Sequence, residues 1–341
     1  MADFQKEKKI VQQYIADFDS ASHNNLTTVL QKYTTQDYHW RGMHPFYEQY
    51  GAPDVVTGFW QSFRESFSPV QRRIDIFFAG ENECDNGKTI WVVTVGNFLG
   101  LFDHKWLGIP STGKMAFLRY AEFHRVNKDG KIAETALFCD IISVMHQAGH
   151  YPLPPMTGAA FLYPGPRTHD GLQYEEQDPS AATKTMTVLN QMIADLNSLN
   201  TNDAERCPPE LLAKTWNRDM IWYGPYGIGA TYTIERYQQQ HQYPFRDNLY
   251  DKVFNGHIAR FAEGNYCGFF GWPNLSNKNK GGFLGLPAND THAPMRVVDI
   301  YRREGDKLAE NWVFIDLLHY LNQQGLDVLQ RMREINRTEL S

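Results

Sequence analysis

Residues Lys131–Gly149 read KIAETALFCDIISVMHQAG, and residues Lys307–Gly325 read KLAENWVFIDLLHYLNQQG. Each is an apolar strand running into a helix or turn. Each carries one aspartate, Asp140 or Asp316, at the same place in its apolar run. Charged side chains are rarely buried unless they are paired or put to use. The same anomaly in two stretches of equal length points to a repeated unit.

The likeness extends well beyond these stretches. Lys131-Ile132-Ala133-Glu134 matches Lys307-Leu308-Ala309-Glu310 at an offset of 176, as do Asp140 with Asp316 and Gly149 with Gly325. Gly108-Ile109-Pro110 matches Gly285-Leu286-Pro287 and Arg119 matches Arg296, both at 177. Trp40-Arg41-Gly42 matches Trp222-Tyr223-Gly224 at 182. Ordered anchors with a slowly drifting offset describe two homologous lobes whose loops differ in length. The chain of 341 residues thus divides into a first lobe, residues 1–150, a Pro/Gly-rich linker or lid, 151–182, and a second lobe, 183–341.

Each lobe opens on helices. Ile10, Tyr14, Ile15 and Phe18 give helical spacing over 4–24, and Met186, Leu189, Ile193 and Leu196 give it over 183–199. Shorter helices are expected at 26–33 and 209–216, with a further helix at 53–67 in the first lobe. Three or four strands follow, ending in a hairpin whose turn is Asn127-Lys128-Asp129-Gly130 or Glu304-Gly305-Asp306. Helices followed by a mostly antiparallel sheet make an α+β lobe. Side-chain alternation places Glu310, Trp312, Phe314 and Asp316 on one face, and Glu134, Ala136, Phe138 and Asp140 likewise. Centring each hairpin on its turn sets Arg119 opposite Phe138 and Arg296 opposite Phe314, each diagonal to its aspartate.

Composition narrows the function classes. Net charge is −6 with no Lys/Arg-rich run, so nucleic acid is not an expected partner. Apolar stretches are only strand-length, so no membrane helix is expected. The N-terminus lacks the pattern of a signal peptide, and four dispersed cysteines suggest neither zinc nor disulfides. Together these predict a cytoplasmic protein. The histidines show no HxH or HExxH spacing, so metal ligation is not expected. Nor is a nucleotide, for want of a P-loop or dinucleotide fingerprint.

Two roles are open for each Arg–Asp pair. It is a buried ion pair that fixes register, or the Asp lines a pocket as general acid or base while the Arg holds a substrate oxygen. The residues Gly108-Ile109-Pro110-Ser111-Thr112-Gly113-Lys114, Arg119, Asp129-Gly130-Lys131-Ile132, Glu134, Asp140 and Gln147-Ala148-Gly149 resemble the SnoaL-like polyketide cyclases, of the nuclear transport factor 2-like superfamily. Gly285-Leu286-Pro287, Arg296, Lys307-Leu308, Glu310, Asp316 and Gln323-Gln324-Gly325 carry the likeness in the second lobe. Where family members often hold a histidine, this chain has Thr135 and Asn311.

The resemblance implies two tandem cone-shaped α+β barrel lobes, each with helices packed on a curved, mostly antiparallel sheet around a cofactor-free pocket. It also implies an intrachain pseudo-dimer or a homodimer. Asp316 and Asp140 would be the acid/base groups of an aldol-type cyclase, isomerase or lyase acting on a carbonyl-bearing substrate. Arg296 and Arg119 would assist, with His241 and His257 as further catalytic candidates. Trp222, Tyr223, Tyr226, Asn311, Trp312, Trp40 and His44 are the expected binding residues. A non-catalytic small-molecule binding protein and an epoxide-hydrolase-like hydrolase are the alternatives.

Overall fold

The computed structural model describes residues 4–201 and 207–338. The chain forms two compact units. The first lobe takes the chain up to Pro152, together with Arg167–Glu176 and the stretch from Asp327. The second takes Leu153–Pro166 and Gln177–Leu326. The segment expected as a linker is therefore divided between the two packed units.

In the first lobe, helices Gln5–Ser20 and Leu26–Tyr33 precede β1 (Thr34–Gly42) and β2 (Tyr47–Tyr50). A helix over 52–66, widened to a π turn at its centre, then leads to β3 (Phe67–Glu81), β4 (Ile90–Phe102), β5 (Met115–Val126) and β6 (Ile132–Cys139). Val11, Tyr14, Ile15 and Phe18 form the buried stripe of the first helix, the spacing that one packed helix face requires. The sheet order is β2-β1-β6-β5-β4-β3, with β1 parallel to β6 and the other neighbours antiparallel.

The second lobe repeats this plan. Helices Pro179–Thr201 and Pro209–Leu212 lead to β7 (Trp216–Tyr223) and β8 (Thr231–Tyr232). A helix over 234–248 follows, again with a π turn, at 238–242. It is the counterpart of 52–66. Next come β9 (Leu249–Phe254), β10 (Ala259–Glu263), β11 (Tyr266–Phe270), β12 (Leu275–Asn279), β13 (Asn289–Met295), β14 (Val297–Glu304) and β15 (Lys307–Ile315). The order β8-β7-β15-β14-β11-β10 matches the first sheet, while β13-β12-β9 forms a separate three-stranded sheet.

Three long strands of the first lobe are thus each cut in two in the second. The interruptions fall at 255–258, 271–274 and Arg296. Pro273 sits in the middle one, where a residue without an N–H cannot extend a ladder. Both lobes are α+β, as expected, but their sheets are open and neither closes into a barrel.

The repeated Trp-x-Gly anchor has a packing cause. A Cβ at Gly42 would lie 2.2 Å from the Trp40 ring, and one at Gly224 would lie 1.9 Å from the Trp222 ring. Each indole folds back over the glycine two residues on.

The hairpin register differs from the expected one by two residues. Tyr120 pairs with Cys139, and Val297 with Ile315. Arg119 and Arg296 therefore stand directly across from Asp140 and Asp316, accepting their backbone N–H groups at 2.9 and 3.0 Å. The turns are centred later than the sequence suggests, and a bulge at Arg125/Val126 and at Arg302/Arg303 adds a further residue.

Candidate active site

Asp140 and Asp316 end their strands and cap the helices that follow, Ile141–Gln147 and Leu317–Gln323. Asp140 accepts from the Ser143 N–H at 3.4 Å, and Asp316 from the His319 N–H at 3.2 Å. Arg119 Nη1 lies 3.7 Å from Asp140 Oδ2, and Arg296 Nη1 lies 3.4 Å from Asp316 Oδ2. The Arg296 guanidinium also covers the Trp272 ring at 3.9 Å. Asp316 has no exposed surface. Each pair thus has the geometry of an ion pair whose carboxylate also caps a helix. Asp316→Ala removes a helix cap and one carboxylate partner of the half-buried Arg296, so urea unfolding is expected to show a loss of about 2–4 kcal/mol.

The cavity of the second lobe lies on the other side of β14 and β15. It has a volume of about 200 Å³, and His257, Asn274, Met295 and Val297, at or beside the three strand interruptions, are among the residues that line it. Val297, Asp299 and Tyr301 from β14 and Asn311, Val313 and Ile315 from β15 face it. Two stacked pairs contribute to its walls: Trp222 on His241, with centroids 4.1 Å apart, and His257 on Phe269, at 4.0 Å. The π turn carries His241 toward the sheet, a placement that such turns commonly serve. Met192, Leu196 and Leu275 add apolar surface, and Arg246, Lys252 and the exposed Phe254 also line the cavity.

Asp299 is the carboxyl group of this cavity. It is partly exposed, to the cavity, although it lies deep in the lobe. Asn311 Nδ2 donates to its Oδ1 at 3.2 Å, and Tyr301 is a second hydrogen-bonding partner. Among the described residues no Lys, Arg or His forms an ion pair with it. Burial pushes its pKa up to about 6, against the opposing effect of the Asn311 and Tyr301 hydrogen bonds. His241 and His257 are driven down to about 3, by burial first and by Arg246 and Arg260 second. Both imidazoles are neutral at pH 7, so neither pairs with Asp299 as a cation. Two buried N–H donors of cavity-lining residues, Asn274 Nδ2 and Trp216 Nε1, lack a hydrogen-bond partner among the described residues.

The first lobe fills the corresponding space. Aligned on the arginine anchors, Tyr120, Glu122 and His124 stand where Val297, Asp299 and Tyr301 stand in the second lobe. Glu122 pairs with Leu137 as Asp299 does with Val313. Tyr120 stacks on Phe98 at 4.2 Å. The Arg72 guanidinium sits 4.7 Å over Phe98 and 5.3 Å over Tyr120. Arg72 then meets Glu122 at 2.7 Å, both side chains being 1% exposed, and Asp19 at 2.9 Å. Burial would raise the Glu122 pKa, but Arg72 and then His124 outweigh it, and the carboxyl is held below its ordinary value.

The expected binding residues divide accordingly. Trp222, Asn311, His241 and His257 are brought together at the cavity. Tyr223 and Trp312 stack on each other at 5.5 Å on the opposite face of the sheet. There the Trp312 indole donates to the Pro164 carbonyl, and Tyr163 packs on both Tyr223 and Tyr226. Residues of the 153–166 segment cover these three; Trp312 alternates with the cavity-facing Asn311 and Val313, so it shares the face of Asp316 and not that of the cavity. Trp40 is a core residue packed on Phe59. His44 Nδ1 meets the Tyr47 hydroxyl at 2.6 Å on the surface. Asp299, Tyr301 and Asn274 were not foreseen.

Among the described residues no group of three His, Cys, Asp or Glu is placed to hold a metal ion. No helix there is long and apolar enough to cross a membrane.

No family model matches the chain, and no curated protein does. Solved structures do, each over less than half of it. A candidate SnoaL-like polyketide cyclase from Jannaschia sp. CCS1 is 17% identical, with a TM-score of 0.34, covering 44% of this chain and 94% of that one. AclR from Streptomyces galilaeus, described as a candidate hydroxylase, is 16% identical with a TM-score of 0.35, covering 43% and 98%. An NTF2-like protein from Burkholderia thailandensis E264 is 20% identical with a TM-score of 0.31, covering 42% and 98%. Two of these three solved structures carry SnoaL-like or NTF2-like names, and each is matched over 94–98% of its own length.

Proposed function

We propose that the second lobe is a small-molecule enzyme that moves protons on an apolar, carbonyl-bearing substrate, with Asp299 as its general acid and base. One contrast carries this reading. Two carboxyl groups occupy the same hairpin position, yet Glu122 is locked to Arg72 in a filled core while Asp299 faces an open cavity, hydrogen-bonded to neutral groups. A carboxyl with a pKa near 6 is well matched to proton transfer near neutral pH. Tyr301 and Asn311 orient it. The Trp222–His241 and His257–Phe269 stacks offer flat walls to a planar or cyclic body.

The step is proton abstraction from the carbon beside a carbonyl. The C–H pair becomes the new C=C bond, the carbonyl π pair moves to oxygen, and the proton goes to Asp299. Its return to a different carbon isomerises the substrate. In ring closure the carbanion instead attacks a second carbonyl, whose π pair moves to its oxygen, and that oxygen takes the proton back from Asp299. In this scheme the acid/base role passes from Asp316 and Asp140, which cap helices, to Asp299.

The test is deuterium exchange in D2O, followed by proton NMR, on 2-tetralone and smaller cyclic ketones. The full chain is expected to speed exchange at the α carbon, and Asp316→Asn to retain that activity. Binding without exchange would leave a non-catalytic binding protein.

Val297→Tyr offers a second check. It introduces the side chain that the first lobe carries at Tyr120. Because the added ring enters existing space, the stability cost is expected to stay under about 1.5 kcal/mol. Binding of the same ketones, followed by calorimetry, is expected to fall below detection.

A further inference from the structure

The geometry points to Asn274 as the group that binds the reacting carbonyl oxygen and its enolate, a role that rests on the acid/base reading of the cavity.

Three of the four polar groups of Asn274 are committed. Its N–H donates to the Met295 carbonyl at 3.1 Å, and its carbonyl accepts the Asn255 N–H at 2.7 Å. Its side-chain Oδ1 accepts the Val297 N–H at 2.6 Å. That last bond fixes the amide, so the remaining Nδ2 is the donor end. Asn274 is only 3% exposed, lines the cavity, and its Nδ2 has no partner among the described residues. A buried amide N–H left unpaired costs free energy, and such a group calls for an acceptor supplied by what the cavity takes up.

The chain around it is shaped for this residue. A Cβ at Gly271 would come within 2.4 Å of Asn274 Cγ and 2.6 Å of its Oδ1. Only glycine leaves the amide room. The Gly271-Trp272-Pro273-Asn274 break in the long strand thus seats one rigid donor at the cavity edge.

The spacing suits the chemistry. Asn274 is anchored to Val297, two residues from Asp299 on the same face of β14, and alternate residues of a strand lie about 7 Å apart. An enolisable carbonyl fills that span. Its oxygen takes an N–H bond of about 2.9 Å, and its α carbon approaches the carboxylate to about 3–3.5 Å. As the proton moves to Asp299, charge develops on the oxygen facing Asn274, where a preorganised donor is most effective.

The probe is 4-nitrophenolate, a flat anion that mimics an enolate, with nitrobenzene as the control that lacks the anionic oxygen. Both are titrated by calorimetry into the full chain carrying Asp299→Asn, which imitates the protonated acid present alongside the enolate. Adding Asn274→Asp keeps the acceptor for Val297 and replaces the donor. Adding Asn274→Leu removes both. Each is expected to weaken 4-nitrophenolate by about 10- to 100-fold and nitrobenzene by no more than about twofold.

A readout that leaves Asn274 intact guards against a folding defect. The side-chain amide protons of Asn274 are expected to move downfield with 4-nitrophenolate and not with nitrobenzene. Equal phenolate affinity with and without Asn274, or an amide signal that does not move, overturns the assignment while the acid/base reading stands. Failure of both probes to bind the Asp299→Asn protein overturns the cavity reading, and this inference with it.

Discussion

Asp299→Asn is expected to lower the rate of α-carbon exchange by about 10²- to 10⁴-fold, the usual contribution of a positioned general base. The same change is expected to stabilise the protein at neutral pH. In the unfolded chain an aspartate ionises near ~3.9, whereas in the folded lobe burial moves Asp299 to about 6. Between those values the folded state holds more protons than the unfolded one, so stability falls as pH rises through the window and stays lower above it. Asparagine carries no such penalty. Discounted for the partial exposure of the group, the gain at pH 7 is about 1–2 kcal/mol, vanishing below about pH 4. Wild-type activity should rise with pH through about 6 as the base ionises. Exchange rates and urea unfolding measured at pH 4, 6 and 8 check both halves. A variant that loses activity while gaining stability marks a group kept for function, whereas a structural carboxylate loses stability when it is neutralised.

Much of the architecture was legible because repetition is visible without any structure. The Lys-x-Ala-Glu, Gly-x-Pro and Trp-x-Gly anchors recur in both compact units, and each arginine does meet its aspartate, though directly across from it and not on the expected diagonal. Three things were hidden. The β-bulges shift the hairpin register by a residue that no turn motif announces. The interruption at 271–274 holds Gly271 and Pro273 in a stretch that otherwise reads as strand, and the one at 255–258 holds Gly256; His257 and Asn274 from these breaks line the second cavity. The face of the sheet was assigned from the most conspicuous charge, Asp316, which lies at a strand end and faces the helix it caps. The signal for Asp299 was nonetheless present. Arg119-Tyr120-Ala121-Glu122-Phe123-His124 aligns with Arg296-Val297-Val298-Asp299-Ile300-Tyr301 on its arginine, setting an acid against an acid three residues on and a bulky Tyr120 against Val297. That size difference is what separates a filled core from a cavity.

Glu122→Gln should have the opposite effect to Asp299→Asn. Arg72 is buried to the same degree as its partner, and its guanidinium is enclosed by Phe98, Tyr120 and Trp60. Neutralising Glu122 leaves that cation with Asp19 alone, and breaking a buried pair on one side costs about 3–5 kcal/mol. The wild-type pair contributes fully above the ordinary glutamate range, and its contribution is lost as pH falls from ~4.3 toward the depressed value in the folded lobe. The destabilisation should therefore be largest at neutral pH and shrink in acid, which urea titrations at pH 7 and pH 3 would resolve. Removing both charges, as Arg72→Met with Glu122→Leu, is expected to recover most of the loss, because apolar replacements of buried ion pairs are often neutral or better. Recovery in the double variant would place the cost of Glu122→Gln in the stranded arginine. A loss equal to that of the single variant would instead mean that the ion pair itself organises the core around Phe98 and Tyr120.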